Sequence, residues 1–258
     1  MTTVLDLPTR SVGPVPFRVA AFGDAVDAVM ATASSRGNGV PVHFANAYTI
    51  ALADTEPEYA DLLARPGSAV FTDGVPVAWV GRRAFPDLAG TWDRVYGPDV
   101  MEAVFERDEG LSHYLLGGSP ETLVALQDAI AQRWPHVKIV GAESPPFRAM
   151  SATEVAEQDA RIADSGADIV WVGLGTPKQD WEVARIASEL PVVAMAVGAA
   201  FDFLAGVKPQ APLWMQRTGT EWAFRLASEP RRLTKRYLWG NPRFVLAAAR
   251  NPGLKKRR

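Results

Sequence analysis

The chain has 258 residues, 48% of them hydrophobic, a net charge of −2 and no cysteine. That length can bury one large core with an appendage, and the absent thiols exclude disulfides, thiolate chemistry and cysteine-ligated zinc. His43, His113 and His136 stand too far apart to read as a ligand cluster.

In chain order, residues 1–16 are punctuated by proline and read as loose or hairpin-like. A strand is expected over 19–22, then a helix capped by Asp24 and running to about Ser34. Gly37-Asn38-Gly39 is a turn, 40–45 a strand, and Asn46 a cap for a helix over 47–53. A helix over 58–64 and a strand over 68–72 follow, ending at Asp73-Gly74. The next helix runs from Val75 towards Arg83, and 87–96 has no period and reads as a loop. Residues 99–107 form an amphipathic helix and 113–116 a strand ending at Gly117-Gly118. Ser119 and Pro120 open a helix to Trp134. A strand over 138–140, a proline-rich loop and a polar helix over 153–165 come next.

The stretch from Asp168 to Glu182 organises the rest. Ile169 to Val172 is a β-branched and aromatic run, suited to a parallel strand covered on both faces. Gly173 and Gly175 free the backbone, and Thr176-Pro177 fits a cap and first helical residue of a helix ending near Glu189. Such a junction points backbone N–H groups at whatever lies above the strand end, and these favour an anion. A last strand is expected over 192–197.

Strands alternating with helices predict an α/β fold, a mostly parallel Rossmann-like sheet with helices on both faces. Asn46, Asp73, Gly117-Gly118, Gly175-Thr176 and Gly198 all follow a predicted strand. In a parallel sheet such positions converge on the carboxyl edge, where open α/β folds bind ligands. The first thirty residues lack the pattern of a secretory signal, and the apolar stretch 192–201 is about half a membrane span, so a soluble chain is expected.

Charge is unevenly placed. Residues 215–258 hold twelve basic residues and only Glu221 and Glu229 as acids, giving +10; the remaining 15 basic and 27 acidic residues give −12. The expected division is an α/β catalytic domain over 1–208 and a basic helical appendage over 209–258 with a polyanionic partner. Glu229-Pro230 begins a helix in which Arg231/Lys235 and Arg232/Arg236 are i, i+4 pairs, beside Leu233, Tyr237 and Leu238. No helix-turn-helix, zinc site or aromatic platform accompanies the charge, so no nucleic acid is expected.

Several stretches together resemble the WecG/TagA/CpsF glycosyltransferases (glycosyltransferase family 26). They are Ala45-Asn46-Ala47, Thr72-Asp73-Gly74, Arg94 to Asp99 (RVYGPD), Leu116-Gly117-Gly118 and Val172 to Gln179 (VGLGTPKQ). Val197 to Gly206 (VGAAFDFLAG), Ala211 to Trp214 (APLW), Glu221-Trp222, Arg225, Glu229-Pro230-Arg231 and Arg236-Tyr237 complete the set. The resemblance spans about residues 18–245. It implies inverting transfer of a hexose-type sugar, such as N-acetylmannosamine or a related hexose or uronic acid. The donor would be a UDP-sugar and the acceptor a polyprenyl-diphosphate-linked sugar, in teichoic acid or exopolysaccharide synthesis. It further implies a peripheral enzyme on the inner face of the cell membrane, working without a metal or other cofactor, and the chain has no Asp-x-Asp motif. A homo-oligomer is left open.

By the same resemblance Asp73 would be the general base. Asn46, Arg94, Gly117, Gly118, Gly175, Thr176, Gln179 and Asp202 would bind substrate, and Arg225, Arg231, Arg232 and Arg236 the lipid diphosphate or membrane. Two positions depart from the family pattern: Phe44 replaces a threonine two residues before the asparagine, and Asp180 replaces a glutamate after the glutamine. The missing hydroxyl keeps a second reading in view, a nucleotide-sugar-binding regulator that has lost the chemistry. An oxidoreductase is disfavoured, because no G-x-G-x-x-G follows the first strand.

Overall fold

The structure, a computed structural model, describes residues 1–35, 37–107 and 110–250. Its elements in chain order begin with β1 (Thr9–Val12), β2 (Val15–Arg18), α1 (Phe22–Ser34), β3 (Val40–Ala45), α2 (Ala47–Thr55) and α3 (Pro57–Leu63). They continue with β4 (Ala69–Thr72), α4 (Val75–Ala84), α5 (Gly97–Arg107), β5 (Ser112–Gly117), α6 (Pro120–Arg133) and β6 (Lys138–Glu143). Next come α7 (Ala152–Ser165), β7 (Ile169–Gly173), α8 (Lys178–Glu189), β8 (Val193–Met195) and α9 (Ala200–Leu204). The chain closes with α10 (Leu213–Thr218), α11 (Glu221–Ser228) and α12 (Pro230–Arg250).

The fold is α/β, as expected. One six-stranded parallel sheet runs in the order β4-β3-β8-β7-β5-β6, and β1 and β2 make a separate antiparallel hairpin. Two compact units divide the chain: Met1–Val4, Val26–His43 and Gly97–Pro209 form one, Leu5–Ala25, Phe44–Tyr96 and Gln210–Arg258 the other. The segment expected as an appendage to residues 1–208 thus groups with two earlier stretches of the chain.

In the first unit the parallel pairs β5/β6, β5/β7, β7/β8 and β3/β8 build the sheet. The step from β5 to β6 and the steps from β6 to β7 to β8 go in opposite directions, so right-handed crossovers put helices on both faces. Packing agrees. Val170 and Val172 of β7 share a core with Ile162 of α7 and Val183 and Ile186 of α8. On the other face Trp171 meets Phe105 of α5, ring centroids 5.6 Å apart, and Phe105 also meets His113 of β5 at 5.1 Å. The period-2 alternation of a strand produces this division. His43 of β3 and Asp180 of α8, both buried, bond at 2.9 Å and tie the first turn of that helix to the sheet.

In the second unit β1 and β2 join through Gly13-Pro14, with Gly13 at φ +60° as the first turn residue. A strand was expected over 19–22, but the pairing ends at Arg18 and Phe22 already opens α1. Asp24 is no cap either. It lies in the first turn, and the Phe22 N–H instead donates to Asp93 Oδ2 at 3.1 Å. Beneath α4, Trp92 is buried and donates its indole N–H to Thr72 Oγ1 at 2.9 Å. Gly81 permits this, since a Cβ there would lie 2.4 Å from the Trp92 ring. Phe44 is buried and stacks on Phe71 with centroids 6.1 Å apart, so the residue that departs from the family pattern fills core space.

Helix α12 packs on α2. Leu233, Phe244, Ala247 and Ala248 are buried on one side of α12. Gly240 faces Tyr48, where a Cβ would come within 3.1 Å of the ring, and Trp239 meets Tyr48 edge-on at 5.9 Å. Pro242 lies inside the helix.

Candidate active site

The second unit holds a cavity of about 340 Å³. Asp73 lines it, together with Asn46, Arg94, Tyr96, Gln216, Glu221, Arg225 and Arg236. Val75, Trp222, Leu233, Phe244 and Val245 give it an apolar wall. Asp73 sits just past the end of β4, with its N–H bonded to Ala45 O at 3.0 Å.

Asn46 does two things at once. Its Oδ1 accepts from the N–H groups of Tyr48 (3.0 Å) and Thr49 (3.3 Å), capping α2. Its Nδ2 donates to Asp73 Oδ2 at 3.1 Å. The amide acceptor thus serves the helix and the amide donor serves the carboxylate, which fixes the Asp73 rotamer.

Arg94 reaches the cavity from the loop before α5. Nε donates to the Asp73 carbonyl at 3.1 Å, Nη1 to Gln216 Oε1 at 3.4 Å and Nη2 to Glu221 Oε2 at 2.8 Å. Its guanidinium lies 3.9 Å from the Tyr96 ring centroid. Arg225 pairs with Glu221 Oε1 at 2.9 Å and donates to the Tyr96 hydroxyl, which itself donates to Glu221 Oε1 at 3.1 Å. Arg236 stands over the Tyr48 ring at 4.0 Å.

Burial raises the Asp73 carboxyl above its ordinary value; Arg94, the Asn46 amide and Arg225 pull it down, and Glu221 pushes it further up. The rise wins, which gives a stronger base than a solvated aspartate. Burial also raises the Tyr96 phenol well above its ordinary value, so it stays a neutral donor. For Arg225, burial opposes the charge, but Tyr96, Glu221, Asp73 and Tyr237 outweigh it and the guanidinium stays protonated.

The model described as "Glycosyl transferase WecG/TagA/CpsF family" matches residues 10–258 of the chain. The protein belongs to this family. WecG/TagA/CpsF proteins are glycosyltransferases of cell-wall polysaccharide biosynthesis.

Within this WecG/TagA/CpsF chain the expected site residues fall into two groups. Asp73, Asn46, Arg94, Arg225 and Arg236 line the cavity just described. Arg231 is exposed on α12, and the side chain of Arg232 lies outside the described residues, as do residues 255–258 of the basic tail. Gly117, Gly118, Gly175, Thr176, Gln179 and Asp202 belong to the other unit. There Gly117, at φ +126°, passes so close to β7 that a Cβ would lie 2.7 Å from the Gly173 backbone. The Gly118 N–H bonds to Gly173 O at 3.3 Å.

Gly175 is exposed, yet its N–H, expected to face an anion, donates to Gln179 Oε1 at 2.9 Å. Gln179 is buried and gives Nε2 to Ala196 O at 2.9 Å, so its amide joins the ends of β7 and β8. The Thr176 cap is not made: α8 opens at Lys178, with Pro177 in the cap position and no side-chain cap bond. Asp202 pairs with Lys208 at 2.7 Å.

Tyr96, Gln216, Glu221 and Tyr48 are not among the residues expected at the site. Tyr96 and Glu221 lay inside the matching stretches, and the i, i+4 spacing of Glu221 and Arg225 was a usable signal. Nothing local announced that Arg94 would meet that helix.

Proposed function

We propose that the protein transfers a hexose-type sugar from a UDP-sugar to a polyprenyl-diphosphate-linked sugar, with Asp73 as general base. The observation that carries this reading is a basic carboxylate, oriented by Asn46, in a cavity that combines three arginines with an apolar wall. In the step, the acceptor hydroxyl oxygen attacks the anomeric carbon from the face opposite the nucleotide. The C–O bond to the diphosphate breaks, UDP leaves with the electron pair, and the hydroxyl proton passes to Asp73. One displacement inverts the anomeric centre.

Arg94, Arg225 and Arg236 supply cations for a diphosphate, and guanidinium geometry suits its paired oxygens. The exposed stripe of α12 is assigned to an anionic membrane face, and in this reading the enzyme works as a peripheral protein on the inner leaflet. Among the described residues no helix is long and apolar enough to cross a membrane.

The deciding test is a UDP-sugar panel on a short-chain polyprenyl-diphosphate sugar, scored for donor-dependent product. Donor binding without product from any combination would favour the regulator instead. Since arginines are assigned the diphosphate charge, transfer is expected to persist in excess EDTA. Loss of transfer that Mg²⁺ or Mn²⁺ restores would overturn that assignment.

A further inference from the structure

Glu221 is an acid in a basic segment, and it points into the cavity where cations are needed. Its side chain is only 17% exposed and Arg94 only 16%. One carboxylate there accepts from three donors: Arg94 at Oε2, and Arg225 and the Tyr96 hydroxyl at Oε1. Arg225 also donates to that hydroxyl, which closes a ring of contacts. A rim ion pair in water is worth little. This one is largely removed from solvent and shared, and breaking a buried pair leaves an uncompensated charge.

We infer that Glu221 is a positioning residue: its carboxylate, shared between Arg94 and Arg225 and closed by the Tyr96 hydroxyl, holds both guanidinium groups in fixed orientations around Asp73. Without it Arg94 would lose its Nη2 contact and Arg225 its Nε contact, and a diphosphate would have more of their orientation to fix on binding. The same carboxylate offsets their charge at the base. The groups facing Asp73 are the Asn46 amide at the start of α2, Arg94 and the neutral Tyr96 phenol before α5, and Glu221 and Arg225 of α11, with Arg236 of α12 lining the same cavity. Glu221 is the anionic member beside Asp73 itself, so its loss lets the arginines pull the base towards the ordinary carboxylate range.

The kinetic arm of the test rests on the transfer reading; the spectroscopic arm does not. In full-length protein, Glu221→Gln should lower kcat/KM at neutral pH by roughly tenfold or more. The acid limb of its pH profile should move to lower pH. Glu221→Asp keeps the charge but shortens the reach, so its turnover should fall while the limb stays near the wild-type position. The carboxyl ¹³C resonance of Asp73, assigned by its absence in Asp73→Asn, should titrate at lower pH in Glu221→Gln than in wild type. A purely structural carboxylate predicts losses that track the folded fraction and an Asp73 titration that does not move; that result in folded Glu221→Gln overturns the proposal. If wild-type protein transfers no sugar, the transfer reading fails, and the Asp73 titration still decides the role of Glu221.

Discussion

Asp73→Asn is expected to lower turnover at least ~10²-fold, the lower end of what a positioned base contributes, while the melting temperature holds or rises. The two halves of that result come from the same environment. Burial raises the Asp73 carboxyl, and a carboxylate with a raised folded-state value binds a proton more readily folded than unfolded. Its burial therefore costs no stability below the ordinary value; the cost grows as pH rises through the window and is complete above the folded value. Asparagine carries no such cost, and its amide oxygen can still accept from Asn46. Activity follows the opposite sign, because the base works only when ionised. Wild-type kcat/KM should thus rise with pH through the raised value, and the residual rate of Asp73→Asn should lack that limb. Measuring turnover, melting and the pH profile on one preparation checks all three. Near-normal turnover in folded Asp73→Asn removes the residue from the mechanism.

How much of this could be read from the chain follows from the range of the interactions. Helices and strands with local signals formed where expected: Asn46 caps α2, Ser119 caps α6, and Ile169–Gly173 is a buried parallel strand. Errors came where a residue other than the local candidate supplied the cap or the bond. The start of α1 is held by Asp93, 71 residues away, so the local candidate Asp24 was displaced. At Gly175 the expected anion-facing N–H is met by the chain's own Gln179. The cavity shows the same limit. Asp73, Asn46 and Arg94 were legible through the family resemblance, but Glu221 binds Arg94 across 127 positions. No spacing rule reaches that far. Only the fold reveals that this acid of the basic tail meets Arg94.

Reversing Arg231 and Lys235 together should weaken binding to anionic vesicles by at least ~30-fold at low salt, following ~1 kcal/mol per basic residue near such a surface. The structure dictates this pair. Arg236 stands over Tyr48 inside the cavity, whereas Arg231 and Lys235 are exposed and stand i, i+4 on one face of α12. Leu238, 74% exposed, and Val245, 62% exposed, continue that stripe at helical spacing. Val245 also lines the cavity, so the stripe reaches its rim. A lipid-borne acceptor would approach along a surface of this chemistry, headgroups on the cations and chains on the apolar positions.

Arg231 lies in the first turn of α12, where an acid favours the N-terminus, and exposed substitutions such as that of Lys235 usually shift stability by about 0.5 kcal/mol or less. The reversed variant should therefore melt with wild type, which separates lost membrane contact from lost fold. Wild-type binding should fade as salt rises, because screening shortens the reach of each charge to ~10 Å at 0.1 M. Transfer to a soluble short-chain acceptor should survive the reversal, while transfer to acceptor embedded in anionic vesicles should fall with binding. Co-sedimentation with phosphatidylglycerol vesicles, with phosphatidylcholine as control, reads the first effect directly. Undiminished sedimentation of the folded variant would leave α12 a packing helix whose exposed face has no membrane role.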